Sequence, residues 1–356
     1  MIKHSVANRR HALSGILAAL AFGANTTRSA AETADQRLIV HSVLGPRNAQ
    51  PLLDEFRRQH PATTLQYDGS FSSGDLSERV RRGAAMSRDP ADVIWSSAMD
   101  LQAALVADGY AAEYSPRPRR SFPSWVGFGG RSVCTTLEPA VFIYNRRLLS
   151  AAEVPKDRRA LLQFLHSQRS RLEGCITTID ITSSGVAYML AVQDRLHFSD
   201  YSLLMSRLGA AGIRLETSTG TMLESVNSGK YLFGLNAMGA YAVSRSLSDL
   251  PDLGVVFPSD YTLALSRVAL INRAAKNPAA ARLWLDFLLS PSTQRIFSEQ
   301  LNMIPVRRGV APPRYTAMIG NSLKPIRMSA SLSSHLAADV QRDFTAQWKQ
   351  LIGLPT

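Results

Sequence analysis

The sequence predicts an α/β protein of two lobes, joined by a hinge and separated by a cleft. Three observations lead there. From Arg37 onward, short runs rich in β-branched residues alternate with helical patterns. About 325 residues remain after an N-terminal leader, more than one core usually covers. No segment beyond that leader is apolar and long enough to cross a membrane.

The leader occupies residues 1–31. Lys3, Arg9 and Arg10 form a positive start, an apolar run spans Ala12 to Ala24, and Ser29-Ala30-Ala31 offers a cleavage site. Asn8-Arg9-Arg10-His11-Ala12-Leu13 matches a twin-arginine export signal in part, with Asn8 and Ala12 where Ser/Thr and Phe are usual, so both export routes stay open. The whole chain holds 40 Lys+Arg and 28 Asp+Glu. The leader carries four of the basic residues and no acid, which leaves the mature chain at +8. That balance favours anionic ligands or surfaces. It does not point to nucleic acid, because the basic residues are scattered, apart from two small clusters at Arg79, Arg81, Arg82 and at Arg117, Arg119, Arg120.

Each element follows in order. Leu38 to Val43 is a strand, broken by Gly45-Pro46. Pro51 to His60 reads as a helix with Leu52, Leu53 and Phe56 on one face and Pro61 as its stop. Thr63 to Tyr67 alternates as a strand, and Ser72-Ser73-Gly74-Asp75 leads into a helix over Leu76–Arg82. Ala91 to Trp95 is a buried strand, and Ser96-Ser97 opens the helix that carries Leu101, Leu105 and Val106. Such alternation implies a mainly parallel sheet covered on both faces. Pro116 to Pro123, rich in Pro and Arg, is a surface connection, and the strand Val133–Tyr144 leaves the first lobe. A second series follows: helices over 161–171, 184–195, 201–211, 221–228 and 239–246, with strands over 175–181, 231–235 and 253–257. Arg267 to Asn272 is a strand, Pro278 to Leu289 an apolar helix, and Ser290-Pro291-Ser292 starts another helix that runs to Leu301. The tail ends in a helix from about Ser331 to Leu351.

Cys134 and Cys175 admit a single pairing. In an exported protein a bridge would close a loop of about forty residues and stabilise by about 3–4 kcal/mol; two buried thiols are the alternative. Neither cysteine has a metal-type spacing, and the seven histidines form no ligand cluster, so no metal or cofactor is expected. No nucleophile elbow, zinc-protease helix or phosphate-binding loop appears, so no enzyme is expected either.

Several stretches together resemble the extracellular solute-binding proteins of ABC importers, in the branch that includes ferric-iron, sugar-phosphate and phosphoglycerate binders. They are Pro51-Leu-Leu-Asp-Glu-Phe-Arg-Arg-Gln-His-Pro61, Ala91-Asp-Val-Ile-Trp-Ser-Ser97 with Leu105-Val-Ala-Asp-Gly-Tyr110, Phe142-Ile-Tyr-Asn145, Glu224-Ser-Val-Asn-Ser-Gly229, and Asn277 to Pro291 with Gln294 and Ile304-Pro-Val306. The resemblance runs from Arg37 to Arg308. It implies a type II periplasmic-binding-protein fold with discontinuous lobes: 37–137 plus about 262–300 as lobe one, and 138–261 plus about 301–356, including the C-terminal helix, as lobe two. It also implies a monomer in the periplasm, a cleaved signal peptide, and an inner-membrane ABC permease as partner. A membrane sensor kinase is the alternative partner. Iron binders of the branch use adjacent tyrosines, and here the corresponding place reads Asn236-Ala-Met-Gly-Ala-Tyr241, with one tyrosine only. That makes ferric iron the alternative ligand to a small anion such as an organic phosphate.

An anion favours free N–H groups at helix starts, hydroxyl donors and a basic side chain. Candidate contacts are therefore the turns with Ser42, with Ser72 and Ser73, with Ser96 and Ser97, with Ser183, Ser184 and Gly185, and with Gly239. Serine is also the ordinary helix cap, and both roles stay open. Arg131 is a candidate anion partner, Trp95 and Tyr241 are candidate walls of the pocket, and Asn236 and Asp260 are candidate polar contacts.

Overall fold

A computed structural model describes residues 37–86 and 90–355. The leader expected at 1–31 lies outside the described residues. The chain begins with β1 (Arg37–Ser42), α1 (Pro46–Gln59), β2 (Thr64–Asp68), α2 (Ser73–Met86), β3 (Val93–Ser96) and α3 (Met99–Ala107), and β4 (Gly127–Phe128) and β5 (Ser132–Cys134) follow a surface connection. α1 buries Ala49, Leu52, Leu53 and Phe56, the stripe of a helix lying on a sheet. It starts at Pro46, earlier than the predicted Pro51, because proline in the first turn gives up no hydrogen bond. β1 lies between β2 and β3 and runs parallel to both.

The second series comprises β6 (Thr136–Asn145), α4 (Arg158–Ser167), α5 (Arg169–Leu172), β7 (Ile176–Ile179), α6 (Gly185–His197), α7 (Tyr201–Ala210) and β8 (Arg214–Glu216). It continues with α8 (Thr219–Ser228), β9 (Phe233–Met238), α9 (Gly239–Ser248), β10 (Leu253–Val256) and β11 (Thr262–Leu265). The predicted strand Val133–Tyr144 is two strands. It breaks at Thr135, where the chain passes from one sheet to the other. β6 is antiparallel to β9, β10 and β11, while β7 is parallel to β8 and β9. The second sheet is therefore mixed rather than mainly parallel. Its long strand enters from the hinge, against the direction that the βα units impose.

The chain then returns with β12 (Val268–Ile271), α10 (Pro278–Leu288) and α11 (Pro291–Glu299). β12 sits in the middle of the first sheet, antiparallel to β3 and β5. The return to lobe one was expected at about 262, but β11 still pairs with β6 in the second sheet. Asn277 caps α10 and Ser290 caps α11, each followed by proline. Trp284 of α10 packs its edge on Phe56 of α1, with ring centroids 4.9 Å apart. The chain finishes with β13 (Ile304–Pro305), α12 (Thr316–Ile319), β14 (Leu323–Pro325), a 3₁₀ turn over Ala330–Leu336 and α13 (Ala338–Leu351). The single C-terminal helix expected from about Ser331 is thus a turn and a helix, interrupted at Ala337. Among the described residues no helix is long and apolar enough to cross a membrane.

The lobe crossings lie side by side and are stitched together. Thr135 N–H donates to the Arg267 carbonyl at 2.8 Å, and Arg267 N–H donates to Thr136 Oγ1 at 3.2 Å. Gln294, fully buried, spans them: its Nε2 donates to the Thr135 carbonyl at 2.9 Å, and its Oε1 accepts from Val306 N–H at 2.8 Å. β13 adds to β6 through Ile304 opposite Leu137.

Cys134 and Cys175 are free thiols, so the bridge weighed from the sequence does not form. Cys134 is in the first sheet opposite Val268, and Cys175 precedes β7 of the second sheet, so the two sit in different lobes. Burial pushes the Cys134 thiol up to about 12.

Lobe two holds a buried ion cluster. Arg158, 2% exposed, gives Nη2 to Asp194 at 2.7 Å and Nη1 to Asp260 at 3.0 Å, and its guanidinium lies 3.6 Å from the Tyr261 ring centre. Burial alone would disfavour its charge. The Asp194, Tyr261 and Asp260 groups reverse that and leave its pKa above the ordinary arginine value. Arg158→Met should strand two carboxylates and lower the unfolding free energy by about 3–5 kcal/mol in urea titrations. Arg342→Ala, which breaks an exposed pair with Asp343, should change it by less than about 1 kcal/mol.

Candidate functional site

The two lobes face each other across a cleft of about 930 Å³. Val43, Leu44, Gly45, Arg47 and Asn48, from the β1–α1 turn, form one wall. Thr219, Met238 and Tyr241, from the starts of α8 and α9, form the other. Glu138 and Arg267, from the crossing strands, line it between them. The cleft thus lies beyond the carboxyl ends of β1 and β9, where open α/β sheets place ligands.

Local chemistry sets each wall. Ser42 is fully buried and its Oγ accepts from Leu44 N–H at 3.0 Å. The Tyr67 hydroxyl donates to the Leu44 carbonyl at 2.6 Å. These two bonds hold the β1–α1 turn, and burial pushes the Tyr67 hydroxyl up to about 12. Opposite, a Cβ on Gly239 would come within 2.7 Å of the Pro139 carbonyl oxygen, so only glycine lets α9 start hard against β6. Asn236 adopts φ 57°, which asparagine tolerates better than most residues, and its Nδ2 donates to Asp194 at 2.8 Å.

No side chain caps the start of α1 or α9, as is also true of α3, α7 and α13, whereas α4, α6, α8, α10 and α11 are capped by Asp157, Ser184, Ser218, Asn277 and Ser290. The α1 and α9 starts border the cleft. In α1, Pro46 has no N–H and the Asn48 and Ala49 N–H groups both donate to the Gly45 carbonyl at 3.0 Å, so what that start offers an anion is chiefly the positive end of the helix dipole.

Glu224, Arg245 and Asp249 also line the cleft, where Arg245 pairs with both acids, and Arg267 lines it from the hinge. Its Nε lies 2.8 Å from Oε1 of Glu138 and its Nη2 lies 3.3 Å from Oε2. Nη1 is buried and makes no hydrogen bond. The pair is 8% and 2% exposed. A buried donor with no partner is costly, so Nη1 is a position where a ligand oxygen would be gained at little desolvation.

The serine turns occupy a different part of the lobe boundary. Ser72 Oγ caps α2 by accepting from Asp75 N–H at 3.1 Å, Ser96 Oγ accepts from Ala98 N–H at 3.2 Å, and Ser184 Oγ accepts from Ala187 N–H at 3.3 Å. Ser183 donates to the Asp180 carbonyl, and Ser97 is buried. The turns do meet across the lobes: a Cβ on Gly185 of α6 would sit 3.8 Å from both Ser73 Cβ and Ala98 Cβ and 3.4 Å from Leu101 Cδ1.

Other candidates are engaged elsewhere. Trp95 is fully buried and its Nε1 donates to Thr135 Oγ1 at 3.0 Å, so it belongs to the core and not to a pocket wall. Arg131 donates to the Ala111 carbonyl at 3.2 Å and lies 3.8 Å from Glu113. It precedes Ser132, which pairs with Leu270, whereas Ser96 pairs with Val268, so Arg131 sits at the far end of the sheet from the Ser96 turn. Asp260 is taken by Arg158. Tyr241 lines the cleft and its hydroxyl accepts from Arg245 Nη1 at 2.8 Å. Arg267, Glu138 and Arg47 were not singled out from the sequence. A lone acid inside the apolar run Thr136–Asn145 and a lone arginine opening the run Val268–Ile271 were the available signal, since buried charges come in pairs. Among the described residues no three His, Cys, Asp or Glu side chains converge to hold a metal ion.

A family model for bacterial extracellular solute-binding proteins matches residues 52–319. The substrate-binding protein of an ABC transporter from Agrobacterium tumefaciens superposes with a TM-score of 0.83 at 30% identity, over 90% of this chain and 96% of that one. The ferric binding protein from Campylobacter jejuni gives 0.71 at 15% identity, over 89% and 100%. Iron-bound HitA from Pseudomonas aeruginosa gives 0.69 at 18% identity, over 86% and 98%. At those identities the two iron proteins share the fold alone. No curated protein matches the chain. The two-lobed type II periplasmic-binding-protein fold is therefore the fold of this protein, and the chain belongs to the bacterial extracellular solute-binding proteins.

Proposed function

We propose that the protein is the periplasmic solute-binding component of an ABC-type importer, and that it takes a small organic anion, such as an organic phosphate, into the interlobe cleft. One observation carries the anion reading: a buried arginine, Arg267, lines the cleft with an unpartnered Nη1, and two helix starts without side-chain caps border the same space. The Glu138 carboxylate balances the guanidinium when the cleft is empty and holds its plane. A bound carboxylate or phosphate would take a charge-assisted bond from Nη1 and would be favoured by the positive dipole ends of α1 and α9. Lobe closure about the stitched crossings would then bring the α1 and α9 walls onto the ligand from both sides. Partnership with an ABC permease rests on the Agrobacterium relative, which is described as part of such a transporter. Ferric iron has less support, because the Tyr241 hydroxyl accepts from Arg245, the Glu224 and Asp249 carboxylates of the same cleft are paired with that arginine, and among the described residues no three His, Cys, Asp or Glu side chains converge.

Thermal unfolding in the presence of phosphosugars, phosphoglycerates, dicarboxylates or ferric iron tests the ligand class. A true ligand at a hundred times its Kd should stabilise by about 2.7 kcal/mol. A shift with iron alone would overturn the organic-anion reading. Arg267→Lys keeps a charge for Glu138 but loses Nη1, and titration calorimetry should record affinity for the stabilising anion about tenfold weaker. Gly185→Phe should wedge the lobes apart at Ala98 and Leu101. Overpacking of about 1–3 kcal/mol in the closed state would lower affinity roughly tenfold and keep the radius of gyration in small-angle scattering at its ligand-free value. Compaction equal to that of the unsubstituted protein would show that closure does not run through that contact.

A further inference from the structure

The basic cluster Arg117, Arg119, Arg120 plays no part in the cleft. It belongs to the connection between α3 and β4, and all three side chains are exposed. Arg308 joins them, because its N–H donates to the Ser121 carbonyl at 2.9 Å and its side chain is also exposed. Among the described residues none of these four guanidinium groups has an ion pair or a side-chain hydrogen bond. Some surface arginines, such as Arg57, Arg58, Arg81, Arg82, Arg147 and Arg171, face an acid. Others, such as Arg207, Arg295, Arg314 and Arg327, are exposed without an ion pair among the described residues, so what distinguishes this patch is the gathering of four such groups at one connection. Two acids, Glu113 and Asp286, share a groove with Arg117, and both are engaged: Glu113 lies 3.8 Å from Arg131, and Asp286 accepts from the Tyr114 hydroxyl.

The same connection carries Trp125, which packs against the core but stays half-buried. The other three tryptophans, Trp95, Trp284 and Trp348, are buried. The segment is held in shape from beneath: Phe122 is buried, and the Arg307 guanidinium stacks over its ring at 5.2 Å while donating to the Leu289 carbonyl. Unpaired arginines beside a partly exposed indole, on a fixed backbone, match the chemistry of a bilayer interface. There guanidinium groups meet anionic headgroups and tryptophan sits at headgroup level.

We infer that this face of lobe one, with Arg117, Arg119, Arg120, Arg308 and Trp125, docks the protein on an anionic phospholipid surface. The inference is independent of which solute fills the cleft. Docking of this kind is electrostatic and reversible. It would raise the protein's concentration near a membrane without inserting any segment.

Vesicle co-sedimentation of the full chain tests it. Vesicles of equal parts phosphatidylglycerol and phosphatidylcholine should retain the protein at low salt and release it at about 0.5 M salt, where charges act over only a few ångströms. Arg117→Gln, Arg119→Gln, Arg120→Gln and Arg308→Gln combined should weaken retention on the order of 100-fold. The leader's apolar run and its four basic residues are common to both proteins, so the difference between them reports the patch. Brominated phosphatidylglycerol should quench part of the tryptophan emission, and Trp125→Phe should abolish that part while the three buried indoles remain unquenched. Equal retention on purely neutral vesicles, retention unchanged by the four substitutions, or quenching that survives Trp125→Phe would each overturn the assignment. A patch built for an acidic protein would bind these vesicles by charge alone and leave Trp125 out of the headgroup layer, so retention with no Trp125-dependent quenching would also overturn the assignment.

Discussion

The buried contact between Glu138 and Arg267 is the constraint on which the two-lobed arrangement depends. Glu138 sits on β6 and Arg267 in the link between β11 and β12, the stretches that carry the chain between the lobes, and both side chains are buried. An ion desolvated in this way is tolerable only while its counter-ion stays put. The crossing strands are therefore held in register by charge as well as by the Thr135–Arg267 backbone bonds. Gln294 extends the restraint to the third crossing, because one side-chain amide serves the Thr135 carbonyl and the Val306 N–H at once. The lobes are free to rotate only about this knot, and the same arginine that fastens it lines the cleft.

Electrostatic design elsewhere separates structure from recognition. In lobe two, Arg158 collects Asp194 and Asp260 into one cluster, and the Tyr261 hydroxyl also donates a hydrogen bond to Asp194 at 2.9 Å. Burial first, and the Asp194 charge second, push that hydroxyl's pKa up. Asn236 links the cluster to the turn before α9. The Arg158 and Asn236 donors there are spent on protein acceptors, which suits a scaffold, while the buried Tyr201 hydroxyl beside them has no partner. At the cleft, Nη1 of Arg267 is a donor left over.

Much of the architecture could be read from periodicity. The stripe Ala49, Leu52, Leu53, Phe56 and the capped, proline-started α10 are local patterns, and they appear where local rules put them. The direction of β6 could not be read, since nothing within Thr136–Asn145 records which way its neighbours run. The serine turns illustrate a second limit. Ser72, Ser96 and Ser184 carry the same side chain for a cap and for an anion contact, and only the partner atoms reveal that each hydroxyl is already used by its own turn. Arg267 and Glu138 lie far apart in the chain, so their pairing belongs to the tertiary structure even though each stands out as a charge in an apolar run. The stretches of resemblance to solute binders carried the family across these gaps.

The position of β12 has a kinetic consequence. It fills the centre of the first sheet, between β3 and β5, yet the chain reaches it only after all of α4 to β11 has been made. A nascent chain that stops short of Val268 has an unfinished sheet with bare inner edges. Neither half is an autonomous folding unit, and severing the polypeptide within α4 to β11 yields no piece that matches a lobe. Closing such long loops is entropically slow, which places this protein among chains that stay unfolded well after their first strands emerge.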